Sequence, residues 1–137
     1  MRDFGVQHAQ DSLAQGFAPW VGELDLRVEG IDEDGATVRM PFSPRLCRAG
    51  GIICGQAFSA LADTAAVLAL FAVDDAFTPC TTVDLSVQMM RPVSDADVIA
   101  TAHVLRRGRT MAFVQVLLHA DGDAQPAVHA AVTLAIV

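Results

Sequence analysis

Six stretches of the chain alternate between apolar and polar residues, which is the pattern of strands that bury one face. The stretches share this period of two and lie at residues 24–29, 37–42, 82–90, 97–105, 111–119 and 127–137. The turn sequences "IDEDG" after the first stretch and "RRGRT" after the fourth predict two hairpins. In the third stretch the alternation predicts an apolar face and a polar face, made of Val83, Leu85, Val87 and Met89 against Thr82, Asp84, Ser86 and Gln88.

One segment, residues 55–73, departs from this alternation. It contains no proline, and alanine and leucine dominate it, which favours a helix. Apolar residues occur on nearly all sides of that helix, so we expect it to be buried on most of its faces. A second, shorter helix is expected within residues 3–15.

The order of elements is strand, strand, long helix and then four strands. It predicts one α+β domain over residues 1–137, with an N-terminal helical segment at residues 1–18. The economical packing is an antiparallel sheet of about six strands that curls around the long helix. Because one sheet face cannot enclose a helix completely, we expect the rest of the helix surface to meet another subunit.

The central segment "GGIICGQAFSALADTAAVLALFAV" holds a single charged residue, Asp63. Helical spacings of three and four place Gln56, Ser59 and Asp63 on one stripe. A buried carboxylate must be hydrogen-bonded, paired or hydrated. One interpretation is therefore a structural Asp63 that Ser59 and the backbone satisfy or that faces solvent. The other is a carboxylate that lines a cleft and activates water or attacks a carbonyl.

The start of this helix offers a second chemical feature. Gly50, Gly51 and Gly55 allow the backbone to approach a ligand closely, and free N–H groups at a helix start favour negative charge. Such N–H groups can form an oxyanion hole. Gly55 and Asp63 are eight residues apart, about 12 Å along a helix. If both act on one atom, a partner subunit must supply one of them.

Composition narrows the classes of function. The net charge is −7 and all nine basic residues are arginine, which is a poor basis for nucleic-acid binding. The N-terminus lacks an apolar signal core, and the apolar run 57–73 is short for a bilayer and contains Asp63. We therefore expect a cytoplasmic protein without membrane contact. Three cysteines without a CxxC pair, and four histidines without ligand spacing, predict neither a disulfide framework nor a metal site.

Three stretches together resemble a known family. They are "GGIICGQAFSALADTAAVLAL", "TTVDLSVQMMRPV" and "AHVLRRGRTMAFVQVLL", and they occur in the order and spacing of the hotdog-fold acyl-CoA thioesterases of the PaaI-like group. The resemblance covers roughly residues 20–137. It implies a central helix wrapped by a curved antiparallel sheet, with dimers joined edge to edge or dimers of dimers. It also implies hydrolysis of an acyl thioester, usually acyl-CoA, with no metal or other cofactor.

The resemblance assigns roles to three residues. Asp63 falls on the catalytic carboxylate, as general base or nucleophile. Gly55 falls on the glycine whose N–H polarises the thioester carbonyl from the opposite subunit. Thr82 falls where some relatives use Ser or Thr to orient the water.

The chain also departs from the family pattern at three positions. Cys54 stands in place of the usual histidine, Gln56 in place of a glycine, and Arg48 where relatives often carry asparagine. We expect all three of these residues to contact the substrate. Cysteine is the weaker donor, so activity could be reduced or redirected. This leaves open a non-catalytic acyl or acyl-CoA binding protein, and a hydratase or dehydratase ranks last because no histidine stands near the helix start. Cys54 could also act as a nucleophile, although no base stands near it in the sequence.

The remaining candidates are arginines and aromatic residues. The candidates for binding the phosphates of coenzyme A are Arg91, Arg106, Arg107 and Arg109, the last three of which are otherwise explained as a solvated hairpin turn. Phe17 and Trp20 could line an acyl pocket, although the core is the favoured place for both. No role is assigned to the histidines at 103, 119 and 129.

Overall fold

The computed structural model describes all residues from 1 to 137, and in it an antiparallel sheet wraps around one long helix. In chain order the elements are α1 (Val6–Gln15), α2 (Pro19–Gly22), β1 (Arg27–Ile31), β2 (Gly35–Met40), a 3₁₀ turn (Pro44–Leu46), α3 (Gly55–Asp74), β3 (Cys80–Met89), β4 (Val98–Arg107), β5 (Met111–Ala120) and β6 (Val128–Ile136). The six strands are ordered β1-β2-β4-β5-β6-β3, and every neighbouring pair is antiparallel. The hotdog architecture expected from the sequence is confirmed.

Helix α3 forms the centre of the core. It packs on β2, β4 and β5, and Leu61 and Leu68 on its buried faces have no solvent exposure. By length and composition alone α3 could cross a membrane, but 67% of its most apolar 18-residue window is buried inside the protein, as in a core helix. One stripe of α3 is not covered by the sheet, and it consists of Gln56, Ser59, Ala60, Asp63 and Val67.

The first hairpin differs from the prediction at its ends. Strand β1 begins at Arg27, three residues later than expected, because Asp25 adopts a left-handed conformation with φ of 55° and breaks the extension. Strand β2 ends at Met40. Phe42 lies beyond it, where its N–H donates to the carboxylate of Asp97 at 2.6 Å.

Strand β3 contains a bulge that the alternation did not reveal. Thr82 is opposite Leu134 on β6 and Asp84 is opposite the next residue, Thr133, so Val83 is the extra residue. An inserted residue moves each later side chain of the strand to the opposite face of the sheet from the one that the alternation predicts. Thr82 therefore shares the inner face with Leu85, and the predicted separation of these two residues onto opposite faces is wrong.

The N-terminal segment is tied to the end of α3. The carboxylate of Asp75 accepts hydrogen bonds from the N–H groups of Asp3 at 3.0 Å and Phe4 at 2.8 Å. Arg2 donates to the carbonyl of Ala72, which also accepts the N–H of Asp75 at 3.2 Å. The Phe4 ring meets Phe71 edge to face with 5.8 Å between centroids. These contacts tie residues 2–4 to the end of α3. Helix α1 itself packs on β1, where the side chain of Gln10 donates to the carbonyl of Leu26 at 3.0 Å and accepts the N–H of Val28 at 2.8 Å.

Candidate functional site

The uncovered stripe of α3, except for Val67, forms the floor of an open groove of about 590 Å³. The residues that line this groove are Trp20, Gly55, Gln56, Ser59, Ala60, Asp63, Leu85 and Met89. The stripe of Gln56, Ser59 and Asp63 predicted from helical spacing thus lies on one surface, together with Gly55 at the helix start. Its far wall is β3, which is the edge strand of the sheet.

Asp63 is half-buried in this groove and has one hydrogen-bond partner. The hydroxyl of Thr82 donates to Asp63 Oδ1 at 2.7 Å. Ser59 lies one turn earlier but makes no hydrogen bond to the carboxylate, and Oδ2 has no donor within the protomer. One oxygen is therefore oriented by the protein and the other is available to a water molecule or substrate.

The start of α3 is shaped by glycines. Gly50 and Gly51 have φ of 98° and 78°, a conformation that side chains disfavour. Gly55 is the first residue of α3, and its N–H has no acceptor within the protomer. A Cβ at Gly55 would lie 2.9 Å from the Sδ and Cε atoms of Met89. The absence of a side chain leaves this N–H open to the groove.

Cys54 precedes Gly55 as the N-cap residue of α3. Its side chain makes no capping hydrogen bond, and it is half-buried against the core. The next residue, Gln56, is exposed and lines the groove. Neither side chain contacts Asp63, so the structure brings Cys54 and Gln56 to the helix start rather than to the carboxylate.

Arg48 and Arg91 lie on the other side of Gly55. Both line a smaller cavity of about 240 Å³, which Gly55 and Met89 also border. The guanidinium of Arg48 donates only to the carbonyl of its neighbour Ala49. These two predicted binding residues are therefore grouped at the N-terminal end of α3.

The hairpin arginines lie at the opposite end of the sheet, near the end of α3. Arg107 forms a two-point contact with Asp74, from Nε at 2.9 Å and from Nη2 at 2.7 Å. This contact lowers the pKa of the Asp74 carboxyl and raises that of Arg107. Arg106 and Arg109 are exposed and form no ion pair. Within one protomer, then, the hairpin arginines are not brought together with Arg48 and Arg91.

A larger cavity, of about 620 Å³, adjoins the pair of Thr82 and Asp63 on the side away from Gly55. It is lined by Ser12, Gln15, Gly16, Phe17, Val67, Phe71, Phe77, Thr78, Pro79, Cys80, Thr82 and Val137. Burial, followed by the negative charges of Asp63 and Asp74, raises the pKa of the Cys80 thiol. Sequence reasoning missed this cavity, because "DDAFTP" reads only as the end of a helix.

Of the two aromatic candidates, only Trp20 departs clearly from the expected place in the core. Trp20 is 57% exposed and lines the groove, so its placement in the core was wrong. Phe17 is half-buried and forms part of the larger cavity while packing on the core edge. Among all residues, no group of three or more His, Cys, Asp or Glu side chains is arranged to hold a metal ion.

Residues 50–127 match the sequence profile of the Thioesterase superfamily. The chain belongs to this superfamily. A protein of Saccharolobus solfataricus named "Putative esterase" is 28% identical over 100 residues, which cover 72% of this chain and 71% of that protein. A Pseudomonas aeruginosa protein with the same description is 28% identical over 115 residues, which cover 83% and 79%.

Solved structures agree with this thioesterase-superfamily fold. A Pseudomonas aeruginosa protein superimposes with a TM-score of 0.85 at 26% identity, over 96% of this chain and 98% of that one. A thioesterase from Haemophilus influenzae shares the fold with a TM-score of 0.84 at 21% identity, over 96% and 90%. The resemblance to hotdog thioesterases is confirmed, whereas the PaaI-like group remains a prediction. The matched region includes Gly55, Asp63 and Thr82.

Proposed function

We propose that the protein hydrolyses an acyl-CoA thioester to the free acid and coenzyme A, with water activated by Asp63 at a site shared by two protomers. Membership of the thioesterase superfamily supports thioester hydrolysis in general. The single observation that carries the finer proposal is the hydrogen bond from Thr82 to Asp63 in the open groove on α3. It orients a carboxylate that still has one free oxygen.

The shape of the sheet supports a shared site. Strand β3 is an edge strand and exposes the apolar side chains of Val83, Leu85 and Met89. Gly55 lies beside Met89 at one end of this strand, and Asp63 contacts Thr82 near the other end. Antiparallel pairing of two β3 strands about a two-fold axis would bring these unlike ends together. The 12 Å between Gly55 and Asp63 expected along one helix would then be bridged by the second protomer.

The proposed reaction uses these two groups on opposite sides of the thioester carbonyl. Asp63 accepts a proton from water as the water oxygen attacks the carbonyl carbon. The N–H of Gly55 of the partner subunit stabilises the negative charge that develops on the carbonyl oxygen. The carbon–sulfur bond then breaks, and the proton on Asp63 passes to the leaving thiolate, which restores the carboxylate.

The arginines have a place in the same assembly. Two-fold pairing would bring Arg48 and Arg91 of one protomer towards the hairpin that carries Arg106 and Arg109 of the other. Guanidinium groups bind phosphate in a planar, two-point geometry, so this region suits the nucleotide end of coenzyme A. Arg107 is the least available of these arginines for phosphate binding, because its guanidinium is already bonded to Asp74.

A binding protein without catalysis is the second candidate. The observation that favours it is Cys54, whose thiol makes no capping hydrogen bond and is a weaker donor than the histidine that relatives carry at this position. Tight binding of acyl-CoA without release of free thiol would support this alternative.

The first test replaces Asp63 with asparagine, which keeps the size of the side chain but removes the base. Thiol release from acyl-CoA should fall by about 10²–10⁴-fold, while the circular dichroism spectrum and oligomeric state stay unchanged. Asp84→Asn is the matched control, because Asp84 is exposed on the outer face of β3. Normal rates in Asp63→Asn would remove this carboxylate from the mechanism.

The second test separates a shared site from a site within one protomer. Gly55→Pro removes the N–H at a helix position that accepts proline, and it should inactivate the protein as Asp63→Asn does. When the two inactive variants are mixed and allowed to exchange subunits, one site of each mixed dimer carries neither substitution. Activity should return to about a quarter of the wild-type value after random exchange. If both residues act from the same protomer, no activity will return.

A further inference from the structure

The 620 Å³ cavity is walled by parts of the chain that approach it from three directions. The end of α1 and the following loop supply Gln15 and Phe17, the C-terminal half of α3 supplies Phe71, and the connection to β3 supplies Phe77. The rings of Phe71 and Phe77 are 5.1 Å apart between centroids. Phe77 is nevertheless 63% exposed, so one face of an aromatic ring is open to a ligand.

This cavity adjoins the proposed catalytic pair. Thr82, which holds Asp63, lines it, and so does Val67, one helical turn after Asp63. From Thr82 the lining then follows the chain back through Cys80 to Phe77, away from the carboxylate. A carbonyl carbon held at Asp63 would lie at the mouth of the cavity, and the remainder of an acyl group would point inwards.

Part of the cavity wall comes from outside the region that matches the superfamily profile. Residues 12–17 and Val137 lie outside the region 50–127 that matches the superfamily profile. Residues 3 and 4, which precede α1, are fixed to the end of α3 through Asp75 and the edge-to-face pair of Phe4 and Phe71. The cavity is therefore lined both by residues inside the matched region, such as Phe77, and by residues outside it, such as Phe17.

We propose that this cavity is the acyl subsite for a medium-length apolar acyl group, and that Phe77 and Phe17 determine which acyl groups are accepted. The inference rests on the proposed thioester hydrolysis. A cavity of this size matches a compact organic ligand. An acetyl group is too short to pass Thr82, whereas an eight-carbon chain reaches the phenylalanine rings and buries apolar surface against them.

The test compares acetyl-CoA with octanoyl-CoA in thiol-release assays of the full-length protein. The wild type should prefer octanoyl-CoA in kcat/KM. Phe77→Ala should lower kcat/KM for octanoyl-CoA about tenfold and leave the value for acetyl-CoA within about twofold. Phe77 is largely exposed, so this variant should fold, and Phe17→Ala tests the opposite wall. Phe113→Ala is the matched control, since Phe113 is on the outer face of β5 and lines no cavity.

Binding of free octanoate, measured by titration calorimetry, provides a readout that does not need turnover. Phe77→Ala should weaken it about tenfold and Phe113→Ala should not. If no thioester is hydrolysed but octanoate binding depends on Phe77, the proposed function fails and the subsite is supported. If hydrolysis occurs but Phe77→Ala changes both substrates equally or neither, the subsite is overturned while the proposed function remains.

Discussion

At the scale of single residues, the Thr82 hydroxyl decides how the Asp63 carboxylate is presented. Its hydrogen bond at 2.7 Å fixes Oδ1 and leaves Oδ2 towards the groove. A carboxylate without this donor can rotate about its last side-chain bond, so its free oxygen would be aimed less often at the water that we propose it activates. The positioning of the proposed base thus depends on one hydroxyl.

Replacing Thr82 with valine removes the hydroxyl and keeps the branched shape. We expect kcat for thioester hydrolysis to fall about tenfold or more, with little change in thermal stability, because Thr82 is only half-buried. Steady-state thiol release measures the loss, and Thr82→Ser should recover most of the activity. Thr81→Val is the control, since Thr81 is exposed and lies on the opposite face of β3. Equal losses in the two valine variants would argue against a positioning role.

The sequence predicted the facing of the Asp63 side chain more securely than the facing of the Thr82 side chain. Helical spacing depends on a regular period, and Gln56, Ser59 and Asp63 do lie on one uncovered stripe. The facing of Thr82 depends on the bulge at Val83, which leaves no mark in an alternating sequence. Only the family resemblance pointed to Thr82, and the alternation on its own would have placed it on the wrong side of the sheet.

At the scale of elements, the long helix and the six strands were predictable because each has a sustained period. The docking of the N-terminal segment was not, since it depends on contacts between residues about 70 positions apart. Asp75 is the centre of this docking. It ends α3 in a left-handed conformation with φ of 54° and receives two backbone N–H groups. These hydrogen bonds, from Phe4 first and then Asp3, lower the pKa of the Asp75 carboxyl below its ordinary value of 3.8.

A lowered pKa in the folded state means that the ionised carboxylate stabilises the fold at pH values above 3.8. This stabilisation is lost as the pH falls through the lower pKa of the folded protein. Asp75→Asn should therefore reduce the melting temperature by roughly 3–5 °C at pH 7, and the difference from wild type should shrink as the pH falls below 3.8. Thermal unfolding between pH 2 and pH 7 measures both effects.

Asp95→Asn is the matched control for Asp75. Asp95 also adopts a left-handed conformation, with φ of 52°, but it makes no hydrogen bond or ion pair. The Asp95→Asn variant should have the same melting temperature as the wild type throughout this pH range. A difference between Asp75→Asn and wild type that persisted undiminished at pH 2 would contradict the assignment to ionisation.

At the scale of the whole molecule, the notable feature is strand β3, which lies at the edge of the sheet and has a neighbouring strand on one side only. An exposed edge strand with apolar side chains readily pairs with another strand. Leu85 lies near the middle of β3 and is 38% exposed. If two β3 strands pair about a two-fold axis, each Leu85 lies close to its copy on the other protomer, where two negative charges would repel each other.

We therefore expect Leu85→Asp to convert the protein to a monomer, as measured by light scattering after size-exclusion chromatography. Thiol release should fall at least about a hundredfold in the same variant, because Asp63 would lose the Gly55 N–H of the partner subunit. Leu105→Asp is the control, since Leu105 is 62% exposed but lies on β4, inside the sheet order rather than at its edge. A Leu85→Asp monomer with full activity would show that one protomer holds a complete site. A dimer that survives this substitution would place the interface away from β3, and the shared site would then lose its geometric basis.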